Sequence, residues 1–121
     1  MKPADPGDRA LRRDGVIDPQ QDRYAIEGRK PLAGHIADYI VHCRHAGHDD
    51  HHVVQKERHL HRLREGTGAA WLADLTADAL ERHMRALGDD GLLARTVNFA
   101  RQIAVAFMFW CRQTGRVERN P

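Results

Sequence analysis

Cysteine is scarce in this 121-residue chain, which has only Cys43 and Cys111. Two thiols are too few for a disulfide scaffold, so the small secreted folds are set aside and a reducing cytoplasm is expected. Aromatic residues amount to 6%. The core must therefore come mainly from aliphatic side chains and alanine, a composition that leans helical. No run approaches the ~20 apolar residues of a membrane span, and the first residues hold no apolar core of a secretory leader, so no membrane partner is expected. Charge of one sign is also missing. The 19 Lys and Arg nearly cancel the 17 Asp and Glu, leaving +2, which excludes a polybasic tail or an acidic disordered chain as the main character. The common catalytic signatures are absent too: there is no Gly-rich phosphate loop and no Gly-x-Ser-x-Gly. Asp89 and Asp90 fall in a turn between glycines and read as solvated carboxylates. Cys43 and Cys111 lie on apolar helix faces and read as small buried hydrophobes. No catalytic constellation results, and no cofactor is called for.

With 41% apolar and 30% charged residues, the chain has room for one compact domain. Residues 1–31 hold four of the five prolines, with Leu11, Val16, Ile17, Tyr24 and Ile26 scattered without period. Such a segment buries too little apolar area to offset its ordering entropy, and reads as a flexible N-terminal arm or linker. Residues 32–121 read as the domain. Leu32, Ile36, Tyr39, Ile40 and Cys43 recur at helical steps, with Gly47 placed to end that helix. Asp49 and Asp50 offer an N-cap for a second helix with Val53, Leu60 and Leu63 inward, which stops at Glu65-Gly66-Thr67-Gly68. Thr76 caps a third, with Leu80, Met84 and Leu87 inward, and Gly88–Gly91 makes the next turn. A fourth is predicted from about Leu92 to Gln113, with a buried stripe of Thr96, Ala100, Ile103, Phe107 and Trp110 and Gly115 as terminator. Four helices, short connections and no strand signal predict an all-α bundle.

The charge is unevenly spread. Residues 51–64 carry +3 and residues 92–121 carry +4, while residues 32–50 carry −2 and residues 65–91 carry −4. Folding can gather the two basic segments onto one face. On the second helix, His51, His52, Gln55, Arg58, His59 and Arg62 share the face away from the core positions. On the fourth, Arg95, Phe99 and Gln102 follow one another opposite the core stripe, with Thr96 at its margin. Arg neutralises phosphate, while Gln and Arg have the donor–acceptor geometry to read base edges in a major groove. Seven of the nine histidines fall between His35 and His59, which raises a metal reading. Zinc needs four ligands of defined geometry, and here there is no paired-Cys motif and no His-Glu-x-x-His. The histidines read instead as a polar, mostly solvated face, and no metal ligand is assigned.

Gly91-Leu92-Leu93-Ala94-Arg95-Thr96-Val97-Asn98, then Phe107-Met108-Phe109-Trp110, then the closing stretch from Thr114 and Gly115 to Asn120 and Pro121 resemble the N-terminal core-binding domain of tyrosine recombinases, the phage integrase family. Leu32-x-x-His35-x-x-Asp38-Tyr39 is similar to that family's opening helix, and Ala73-Asp74-Leu75-Thr76 to the lead-in of its third. The resemblance covers about residues 32–121. It implies a four-helix SAM-like bundle forming one half of a clamp on double-stranded DNA, with the starts of helices 2 and 4 facing the major groove. By position this favours His51, His52, Gln55 and Arg58, and Arg95, Thr96 and Phe99. Where the family commonly opens helix 2 with Ser or Thr, this chain has Asp49 and Asp50, and its helix 4 serine position is Leu93.

The family's transesterification belongs to a C-terminal catalytic domain with Arg, Lys, His-x-x-Arg and a nucleophilic Tyr. His59-x-x-Arg62 and His61-x-x-Arg64 fit that motif literally but precede everything else, and Tyr24 and Tyr39 lie upstream, in the wrong order. The chain is therefore expected to be not an enzyme but the DNA-binding part of an integrase-like recombinase, partnered by duplex DNA and by a recombinase catalytic domain or other protomers. Its DNA affinity is expected to rise below about pH 6.5 as the histidines charge. The alternatives are a helical protein-interaction module with a basic face and a His-rich metal-binding domain.

Overall fold

The computed structural model describes residues 30–117. Most of the expected arm, and the closing Glu118–Pro121, lie outside the described residues. Within them the chain is all-helical, with no strand: α1 Leu32–His45, α2 Asp50–Thr67, a 3-10 turn Leu72–Asp74, α3 Ala77–Asp89 and α4 Ala94–Gln113.

The helix ends have local causes. The Asp49 carboxylate accepts from the His51 N–H at 3.1 Å and caps α2, so one of the two aspartates is used as a cap. The Thr76 hydroxyl accepts from Ala79 N–H and caps α3. Asp74 accepts from the N–H groups of Ala70 and Trp71, stitching the 3-10 turn. At the end of α3, Gly91 has φ 97°. There Gly91 N–H donates to Gly88 and Leu92 N–H to Leu87, the Schellman closure that a left-handed glycine permits. The chain then runs extended through Leu93, the N-cap of α4, so this helix starts at Ala94 rather than near Leu92. Gly115 closes α4 in the same way, with Arg116 N–H donating to Cys111 at 2.8 Å.

The core follows the expected stripes of α1 and α2, and Ala79, His83, Met84 and Leu87 are buried on α3. Leu80 is only half-buried. On α4 the buried line is Ala100, Ile103, Ala104, Phe107 and Cys111. The predicted stripe is thus slightly rotated: Thr96 and Trp110 are half-buried at its margin. Phe107 is wholly buried and meets Tyr39 edge-on, with centroids 5.4 Å apart.

A polar cluster ties α1 to the end of α4. The Schellman closure turns Arg116 back over the helix, where its guanidinium lies 4.4 Å from the Trp110 ring. It donates to Asp38 at 2.9 Å and to His35 Nδ1 at 3.2 Å. Arginine has no acceptor, so the neutral His35 ring carries its proton on Nε2. Lys30 also pairs with Asp38, at 2.6 Å. Partial burial pushes the Asp38 carboxyl up, but the hydrogen bonds from Lys30 and Arg116 outweigh it and hold the group below its ordinary pKa. His35 is therefore no part of a solvated histidine face. It is fully buried.

Candidate nucleic-acid interface

The N-terminal halves of α2 and α4 meet at one surface depression of about 430 Å³, lined by His51, His52, Gln55, His59, Arg95, Thr96 and Phe99. Asp49 sets the start of α2, and the extended Leu92–Leu93 step sets the start of α4. Both helices begin beside the same groove; the Asp49 carboxylate caps α2, whereas the uncapped N-terminus of α4 adds its partial positive charge to that of Arg95. No side chain caps the N-terminus of α4.

His59 is half-buried and stands edge-on to Phe99, with ring centroids 5.4 Å apart. This contact packs the groove wall of α2 against that of α4 and steadies a phenyl ring that stays 37% exposed. Burial, then the charges of Arg62 and Arg58, hold the His59 imidazole below its ordinary pKa. His51 and His52 are exposed, and His52 Nδ1 is 4.0 Å from Asp49.

The remaining expected site residues lie outside the depression. Arg58, Arg62 and Gln102 are exposed but do not line it. Among the described residues, Arg58, Arg62 and Arg95 have no carboxylate in salt-bridge range. Other arginines are engaged: Arg101 with Glu81, Arg82 with Asp78, Arg44 with Asp50, and Arg64 with Glu65. Arg58 and Arg62 on α2 and Arg95 at the start of α4 are thus left to solvent beside the depression.

Comparison with family models, curated proteins and solved structures finds no match.

Chemically, the groove combines one guanidinium (Arg95), one amide capable of paired hydrogen bonds (Gln55), a hydroxyl (Thr96) and one apolar ring (Phe99). Among the described residues, no three His, Cys, Asp or Glu side chains are grouped to hold a metal ion. Sequence patterning missed two buried histidines, His35 and His83. His83 has a signal in hindsight, because it falls one position before Met84 at a helical step from Ala79.

Proposed function

We propose that this chain binds double-stranded DNA as a SAM-like core-binding module of an integrase-like tyrosine recombinase, with the strand-transfer chemistry carried by a separate catalytic domain. The observation that carries the reading is the common groove: seven of the ten expected contact residues line it, contributed by the N-terminal halves of two helices distant in sequence. Unpaired Arg58 and Arg62 extend the basic surface along α2, so a phosphate backbone crossing the groove meets cations on both sides. Gln55 and Arg95 are the candidates for base-edge contacts, and Phe99 and Thr96 for contact with a thymine methyl.

The test is amide-resolved NMR of the labelled protein with a short DNA duplex at low salt. Shifts concentrated at residues 51–62 and 94–102 and reversed by added salt are expected. Arg95→Ala should lower the slope of log affinity against log salt by about one phosphate equivalent. No shifts, or shifts elsewhere, would remove the DNA reading.

A further inference from the structure

A second groove, of about 580 Å³, runs between the second half of α4 and the 3-10 turn with the start of α3. Trp71 and Leu80 form one wall, Val105 and Met108 the other, and Arg112 and Arg116 stand among its lining residues. It uses a different stretch of α4 from the first groove, whose lining stops at Phe99. Its apolar wall is open to water: Trp71 is 47% exposed and Val105 55%. The apolar surface continues beyond the groove, because Phe109, one helical turn past Val105, is 54% exposed. Large apolar side chains contiguous along a seam mark a contact surface, whereas singly scattered ones are ordinary.

Among the described residues the charge at this seam has one sign, and no acidic side chain lines it. The nearby acids are engaged, Asp74 in capping the 3-10 turn and Asp78 with Arg82 at 3.3 Å. Arg116 is held by Asp38, but Arg112 is exposed and has no carboxylate in salt-bridge range among the described residues. The described residues present no sheet edge, so strand addition has no template. A seam between two helices, with an apolar floor and a cation at one end, has the form that accepts an amphipathic helix.

We infer that this groove docks an acidic amphipathic helix of a partner protein, whose apolar stripe seats against Trp71, Leu80, Val105 and Met108 and whose carboxylate pairs with Arg112. This is independent of the DNA reading and uses other residues.

The test is an NMR titration of the full-length labelled protein with a synthetic amphipathic helix of about four turns, roughly 14 residues, bearing Leu at i, i+4 and i+7 and Glu on its flanks. Peptides with Gln or Lys in place of Glu are the controls. Expected are shifts at the Trp71 indole and at Leu80, Val105, Met108 and Arg112. The Glu peptide should bind about three- to five-fold more tightly than the Gln peptide, the scale of an exposed ion pair. Arg112→Gln should erase that preference but keep binding to the Gln peptide. Val105→Asp should abolish binding while its helical circular dichroism stays intact, as the exposure of Val105 allows. Equal affinity for the Glu and Lys peptides, absence of binding, or shifts outside the groove would each overturn the inference. So would shifts of these same signals with protein concentration alone, which would assign the groove to a second copy of the chain.

Discussion

Gly66→Ala should destabilise the protein although it improves the helix. Gly66 lies in the last turns of α2, where alanine is favoured over glycine by up to ~1 kcal/mol. Against this, a Cβ at Gly66 would stand 2.5 Å from His83 Nδ1 and 2.7 Å from its Cε1. The His83 ring is 7% exposed and has little room to withdraw. Forcing an extra methyl into such a contact costs ~1–3 kcal/mol, so the net effect should be a loss of roughly 1 kcal/mol, about 4–8 °C in Tm for a domain in this size class. Urea unfolding monitored by circular dichroism measures it. The decisive comparison is with His83→Ala. In that background the ring is gone, the new methyl has space, and Gly66→Ala should become stabilising. A change of the same sign in both backgrounds would refute the packing account.

Burial, followed by the charges of Arg62 and His59, also holds His83 below its ordinary pKa, as burial, Arg62 and Arg58 do His59. The unfolded chain then takes up protons more readily, so stability is full above about pH 6.5 and falls as pH drops through the lower folded-state values. The urea midpoint should fall between pH 7.5 and 5, less steeply in His83→Gln; a midpoint that rises on acidification would contradict this. Phe107→Ala removes a wholly buried ring and should cost ~3–5 kcal/mol by the same unfolding assay, while half-buried Trp110→Ala should cost less. Burial pushes the Cys111 thiol up to about 12 against the pull of Arg116 and Arg112. Cys43 and Cys111 are both wholly buried and should resist a disulfide-exchange reagent at pH 8, reacting only once urea opens the fold; rapid labelling of the native protein would disprove their burial.

Much of the fold was legible in the chain because its signals are local. The apolar steps of α1 and α2, the caps Asp49 and Thr76, and the glycines that close α1, α3 and α4 each act within a few residues, so a linear reading reaches them. The face of α2 carrying His51, Gln55 and Arg58 was legible for the same reason. Periodicity was less exact on α4, where Trp110 and Thr96 sit at the edge of the stripe and Cys111 and Ala104 inside it. The edge of a helical stripe is set by what packs beside it, not by the helix itself.

Only tertiary structure decided which faces meet. That the N-terminal halves of α2 and α4 line one groove, leaving Arg58, Arg62 and Gln102 outside it, depends on how the two helices cross. Burial of His35 rests on Arg116, 81 positions away, and burial of His83 on a glycine in the facing helix. The groove beside Arg112 likewise depends on the 3-10 turn and the start of α3 coming alongside the second half of α4. A helical period reports how a residue is oriented about its own axis; the partner that axis packs against is chosen by the summed fit of distant side chains, which no local pattern encodes.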